Sequence, residues 1–182
     1  MPSRAAHSFS LAMVELAQER SILEPVKTAA EELLQNLRIP ELHQFLSHPK
    51  IPDPGKKEVL SKLVSADVPR EFVNFLNLIV DRHRVDALVP TLESLIDLTL
   101  KIWGNEIVEL ISAMPLSETE QQRISQSLSQ AWGKKIYLKY RVNAGLIGGV
   151  VIRRGDQMID GSLSGQIHSL KNLLLEKTEL SI

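Results

Sequence analysis

The chain has no cysteine. That excludes disulfides, thiolate metal sites and cysteine nucleophiles, and it is compatible with a reducing compartment. Aromatic residues make up only 4% of the 182, so the core has to be assembled mainly from Leu, Ile, Val and Ala. Net charge is lacking too: a formal −1 at pH 7 exerts no global attraction on nucleic-acid phosphates or anionic lipid, and no nucleic-acid partner is expected. No apolar run approaches the roughly 20 residues that span a bilayer. The longest clear one, from Leu146 to Ile152, contains two glycines. What is present is ordinary for a soluble globular protein, with 43% hydrophobic and 24% charged residues, in a length that fits one large or two small domains.

The first twenty residues, MPSRAAHSFSLAMVELAQER, share Ser, Ala and Arg with organellar presequences, but Glu15 and Glu19 fall on a continuous helical pattern and favour a structural helix. Phe9, Ala12, Met13, Leu16 and Ala17 recur at helical spacing and are expected on one buried face, with Leu11 and Val14 on other sides. A second helix carries Ile22, Val26, Ala29, Ala30, Leu33, Leu34 and Leu37 and stops before Pro40; a short third holds Leu42, Phe45 and Leu46. Pro49, Pro52 and Pro54 predict a rigid, helix-free HPKIPDPGKK connection. Val59, Leu60, Leu63 and Val64 then mark a fourth helix. Pro69 belongs in the first turn of a fifth, which buries Phe72, Phe75, Leu76, Ile79 and Val80. Asn74 and Leu78 sit roughly 130° or more off that stripe at 100° per residue, so Leu78 is an exposed leucine. Leu88, Leu92, Leu95, Ile96, Thr99 and Trp103 define a sixth helix ending at Gly104.

From Asn105 the period changes. Glu106 to Ala113 reads as a strand, Ser117 and Glu120 as a capping box, and Ile124, Leu128 and Ala131 as a helical face closed by Gly133. Ile136, Leu138, Tyr140 and Val142 alternate with Tyr137, Lys139 and Arg141 in a half-buried strand. Gly148 to Arg153 is a further strand, joined through Gly155-Asp156 to a hairpin partner, Gln157 to Ile159. Asp160-Gly161-Ser162 is a turn into a last helix with Ile167, Leu170, Leu173 and Leu174. The fold class is α+β: an N-terminal six-helix bundle over residues 1–104, then a small α/β domain of β-α-β-β-β-α order over residues 105–182.

The residues offer no catalytic constellation. His7, His43, His48, His83 and His168 show no metal-ligand spacing. Gly133-Lys134-Lys135 lacks the rest of a phosphate-binding loop, and Gly145 to Gly149 lacks a dinucleotide fingerprint. Asp160-Gly161-Ser162 is not a serine elbow. The Asp81-Arg82-His83-Arg84 cluster reads as a solvated helix end. On the residues alone, a helical adaptor for some assembly and a small enzyme using the glycine-rich hairpin both remain open.

The segment from Gly145 to Leu175, with its core GLIGGVVIRRGDQMIDGSLSGQI, resembles the C-terminal signature of the delta-subunit family of F-type ATP synthases, which is similar to the mitochondrial oligomycin-sensitivity-conferring protein. Leu146, Ile147, Gly148, Gly149, Arg153, Gly155, Asp156, Ile159, Asp160, Gly161 and Ser162 all match that pattern. FSLAMVELAQE, FLSHPKIPDPGKKEVL, FLNLIVDRHR and SAMPLSETEQQRI resemble the family's opening helix, its loop and lysine, its fifth helix and its entry to the second domain, so the resemblance spans nearly the whole chain. Two departures stand out: Phe9-Ser10 replaces a usual Tyr-Ala, and Asn143-Ala144 a usual Asp-Pro.

The resemblance implies a non-catalytic stator subunit of the proton-translocating ATP synthase, without cofactor or metal, present once per complex. It would reach the membrane only indirectly, at the cytoplasmic face of a bacterial inner membrane or the stromal face of a thylakoid. It also implies two partners. The N-terminal helix of an alpha subunit would lie in a groove between the first and fifth helices, at Phe9, Ala12, Asn74 and Leu78. The peripheral stalk b subunits would meet the second domain, at Ile167, Leu170 and Leu174.

Overall fold

The structure is a computed structural model that describes residues 4–48, 50–65 and 67–168. Its contacts divide the chain into two compact units, one up to Ile102 and one from Trp103 onward.

The first unit contains α1 (Arg4–Glu19), α2 (Leu23–Asn36), α3 (Pro40–Ser47), α4 (Asp53–Leu63), α5 (Arg70–Asp81) and α6 (Leu88–Ile102), with a single 3-10 turn, Val85–Ala87, before the last. α6 packs against both α1 and α2, and α4 packs against α5. Leu88, Leu92, Leu95 and Ile96 of α6 are buried, as are Val26, Ala29, Ala30 and Leu33 of α2. Burying each large aliphatic side chain contributes roughly 1.5–3 kcal/mol, which offsets much of the ordering entropy in a core nearly without rings.

The face α1 buries is turned from the one its periodicity predicts. Ala6, Ser10, Met13, Val14 and Ala17 are buried, whereas Phe9 and Leu16 are half-buried and Ala12 is exposed. The spacing argument counted apolarity, but the packing selects small size: Ala6, Ser10 and Ala17 let the helices approach closely, and the bulkier Phe9 and Leu16 move to the flank. The serine is accommodated too. Ser10 donates to the His7 carbonyl at 2.9 Å, so the 2.8 Å contact between its hydroxyl and that of Ser94 is donated by Ser94. The departure from Tyr-Ala at this position thus has a hydroxyl partner on α6.

Other expectations shift in detail. α4 begins inside the proline-rich segment, with Pro54 in its first turn, because proline is tolerated where the N–H has no helical acceptor. Pro69 is the residue before α5 rather than part of it. Phe45 of α3 is exposed, as is Trp103, which the pattern put in the sixth helix but which lies beyond the last turn of α6, terminated by Gly104 at φ +73°.

The second unit holds β1 (Glu106–Ser112), α7 (Glu118–Trp132), β2 (Ile136–Val142), β3 (Val150–Arg154) and β4 (Gln157–Asp160), followed by helical residues 163–168. The sheet order is β2-β1-β3-β4. α7 is the crossover that makes β1 and β2 parallel; β3 runs antiparallel to β1 and forms a hairpin with β4. Leu110 on the central strand is fully buried between Tyr140 and Ile152 in register. The entry to α7 is fixed twice. Ser117 and Glu120 form the capping box, and the Tyr140 hydroxyl accepts from the Leu116 amide at 2.7 Å. α7 itself buries nothing fully: Ile124 and Leu128 are half-buried, and Ala131 is exposed rather than lining the face. Val142, at the end of an edge strand, is exposed against expectation.

Candidate partner-binding surfaces

The glycine-rich stretch is the natural place to look for chemistry, and its geometry accounts for its residues without any. Gly149 has φ +79°, and a Cβ there would run into the Gly161 carbonyl oxygen. A Cβ on Gly148 would lie 2.7 Å from the Leu163 side chain, and one on Gly165 would collide with the Asp160 carboxylate. The strand entry and the Asp-Gly-Ser turn are therefore pressed against each other. The Gly161 amide donates to the Val150 carbonyl and the Leu163 amide to that of Gly148, both at 3.0 Å. Asp160 accepts from the Ser162 amide at 2.8 Å, and hydrogen bonds from the Ser162 hydroxyl and amide hold its carboxyl below the usual range. Ser162 in turn accepts from the Gly165 amide at 3.0 Å, the N-cap role. Serine here is a buried cap, not a nucleophile.

Asn143, one of the two departures from the resembled pattern, accepts from the Gly145 amide at 3.0 Å and caps the one-turn 3-10 helix Ala144–Leu146. The amide oxygen supplies the acceptor, so the local turn does not require the acid. Ile147, which follows, is exposed at φ +65°, an uncommon conformation for a β-branched residue.

Charge on the sheet is spent on internal pairs. Glu106 receives Arg154 at 3.1 Å and Lys134 at 2.7 Å, and these hydrogen bonds, Arg154 foremost, pull its carboxyl down to about 2. The Arg154 guanidinium also lies over the Trp132 ring at 4.7 Å. Glu109 similarly meets Arg141 at 2.9 Å and Arg153 at 3.7 Å. Among the described residues no His, Cys, Asp and Glu group has a metal-holding arrangement.

Part of what stays open to solvent is apolar. On α5, Phe72, Phe75, Leu76, Ile79 and Val80 face the core, while Leu78 is 43% exposed beside exposed Asn74. On α1, Phe9, Ala12 and Leu16 form one flank of the buried stripe, and exposed Leu11 lies on the other. Phe9 with Ala12 and Asn74 with Leu78 are thus neighbours along their own helices. α1 and α5 are not closely packed on one another; their strong packing partners are α6 for the first and α4 for the second. Spacing alone missed Leu16 and Leu11 as surface groups, because both look like core residues until the buried face is known.

In the second unit, Ile167 is exposed, together with Ile159 and Leu163. Leu170 and Leu174 lie outside the described residues. No helix among the described residues is long and apolar enough to cross a membrane.

These features can be set beside known proteins. The family model described as ATP synthase delta (OSCP) subunit matches residues 5–174. The chain is 32% identical over 170 residues to the ATP synthase subunit delta of Syntrophomonas wolfei, covering 93% of each chain. It is 33% identical over 172 residues to that of Halalkalibacterium halodurans, covering 93% of this chain and 94% of the relative. The same subunit of Microcystis aeruginosa is 31% identical over 170 residues, with 92% and 93% covered. A chain in the cryo-EM structure of the Toxoplasma gondii mitochondrial ATP synthase hexamer shares the fold, with a TM-score of 0.74 over 95% of this chain and 98% of that one at 18% identity. With a signature whose glycines serve packing and with its family matched over almost its whole length, the chain belongs to the ATP synthase delta (OSCP) subunit family, as a structural and not a catalytic subunit of the complex.

Proposed function

We propose that this subunit is the stator link of the ATP synthase, joining the alpha/beta catalytic head to the peripheral stalk so that the head resists rotor torque. The N-terminal unit, residues 1–104, takes the N-terminal helix of an alpha subunit between α1 and α5, and the unit from residue 105 onward takes the ends of the b subunits. The observation that carries the first half is Leu78: on a helix whose other large apolar residues are buried, one leucine is left 43% exposed beside Asn74. Phe9 and Ala12 offer α1's complementary flank, with an aromatic for area and an alanine for close approach. An amphipathic helix laid between such faces is the helix-in-groove mode, in which apolar anchors supply affinity. On the second unit, exposed Ile167 is the described part of the proposed stalk contact, to which Leu170 and Leu174 belong by sequence.

A link of this kind works through affinity and stiffness, so the subunit needs no reacting group. It sits at the membrane only through the complex, on the side of the catalytic head. The test is calorimetric titration of the full chain with a peptide copying the alpha N-terminus. Leu78→Asp should weaken binding by tenfold or more, as loss of a buried apolar anchor of 1.4 kcal/mol or above would. Absence of binding by the wild-type chain would overturn the groove assignment. For the stalk, Ile167→Asp should lower co-purification with a soluble b-subunit fragment; unchanged recovery removes that residue from the contact.

A further inference from the structure

Ile147 is strained without being buried. Its φ of +65° and ψ of −44°, with the Gly148 amide donating to the Leu146 carbonyl at 2.7 Å, make it the centre of a γ-turn of the positive-φ kind. Such turns are rare and strained, and a β-branched side chain suits them badly. Glycine would relieve the strain, as it does two residues on at Gly149, where φ is +79°. Yet the isoleucine is 66% exposed, so burial within its own unit does little to offset the strain. A backbone outlier whose apolar side chain faces solvent points to a contact made outside the chain.

The surface beside it has the same character. The Leu163 amide donates to the Gly148 carbonyl at 3.0 Å, and the Leu163 side chain fills the space that a Cβ on Gly148 would need. The residue after Ile147 is thus pinned to the start of the last helix. Leu163 is 47% and Ile167 58% exposed, one helical turn apart. In sequence the spacing continues through Leu170 and Leu174, in steps of four, three and four residues. This is the repeat along which one helix seats another, with crossing angles near about 20°. A stripe so narrow falls well short of the roughly 20–30 residues a side that a stable dimer needs, which disfavours a second copy. A single helix needs no more than the stripe.

We infer that Ile147 and Leu163 are anchors for the peripheral stalk, seated against the helical end of a b subunit whose own apolar residues repeat at three and four. The inference rests on the reading of the second unit as the stalk contact, and it adds the turn at residue 147 to the helix named there. A β-branched side chain on a hydrogen-bonded turn loses little freedom on docking, which favours the contact.

The experiment compares stability with binding in the full chain. Ile147→Gly removes the side chain and the strain together. Urea unfolding followed by tryptophan fluorescence should give a midpoint equal to or above that of wild type. Calorimetric titration with a soluble b-subunit fragment should show affinity at least about tenfold weaker, as loss of an apolar anchor would. Ile147→Leu, which returns apolar area to the same place, should restore most of the affinity. A folded Ile147→Gly chain that binds as wild type does would overturn the inference, and so would one that loses stability along with affinity. Self-association of the wild-type chain in sedimentation equilibrium, abolished by Ile147→Gly, would also overturn it by giving the patch to a second copy. If the wild-type chain binds no b fragment, the stalk reading itself fails and the anchors with it. If Ile167→Asp weakens binding and Ile147→Gly does not, only the anchor at Ile147 fails.

Discussion

Gly149→Ala tests whether the glycine signature is a packing device. Two costs add at this position. The φ of +79° disfavours any L side chain by about 1–2 kcal/mol. The new methyl group would also meet the Gly161 carbonyl, with the Gly161 carbon and the Ser162 Cα each 3.1 Å away. These are backbone atoms held by the Gly161–Val150 and Ala113–Gly149 hydrogen bonds, at 3.0 and 3.2 Å, so they do not yield as a flexible side chain would. Forcing an extra methyl into such a contact costs about 1–3 kcal/mol, and the sum is about 2–5 kcal/mol. The control is Gly133→Ala, with φ +64° and no atom within 4 Å of the new Cβ, where only the backbone term of about 1–2 kcal/mol applies. The assay is urea unfolding followed by tryptophan fluorescence. Trp103 and Trp132 are the only tryptophans, and both belong to the second unit, so the signal reports on it alone. Equal losses for the two variants would refute the claim that Gly149 and the Asp-Gly-Ser turn are packed together.

The same fluorescence assay reads an electrostatic prediction. Glu106 has its folded carboxyl lowered from 4.5 to about 2, so its stabilising contribution is complete above pH 4.5 and is lost as pH falls from there towards about 2. The stability gap between wild type and Glu106→Gln should narrow over that interval; a gap constant from neutral to acid pH would contradict the pairing with Arg154 and Lys134. In the helical unit, Ser94→Val removes the donor to buried Ser10 and should cost about 1 kcal/mol, whereas combining it with Ser10→Ala should recover part of that loss, measured by thermal circular dichroism; strictly additive losses would deny the coupling. Leu78→Asp, at an exposed site, should keep stability within about 0.5 kcal/mol of wild type. A large drop in thermal stability would mean that Leu78 belongs to the core.

The sequence was most legible where periodicity and local chemistry agree. The α5 stripe with Leu78 outside it, the Ser117–Glu120 box and the Gly155-Asp156 hairpin all follow from spacing and side-chain chemistry within a few residues. Legibility failed where a choice between faces depends on a distant helix. Met13 and Ala17 fit both the expected and the observed face of α1, but whether Phe9 or Ser10 turns inward is decided by α6, where Ser94 offers a hydroxyl and little bulk. Lys56 shows the same limit. Nothing in its immediate sequence distinguishes it from Lys57, yet one side chain is embedded and the other paired at the surface. Such distinctions lie in long-range packing, to which short windows are blind.

The most recognisable stretch of the chain and the surfaces proposed to act are different places, and the physics explains why. At Gly149 any larger residue collides with fixed backbone, and at Gly148 and Gly165 with the Leu163 and Asp160 side chains, while Asp160 and Ser162 satisfy specific amides. Such positions tolerate few residue types, so they form a sharp pattern in any chain that folds this way. The proposed docking surface of Phe9, Ala12 and Leu78 would be constrained only by what lies against it, and many apolar residues provide comparable area. The signature therefore identifies the family through self-packing. Function has to be sought where a folded chain leaves something unsatisfied, such as a leucine out of its core.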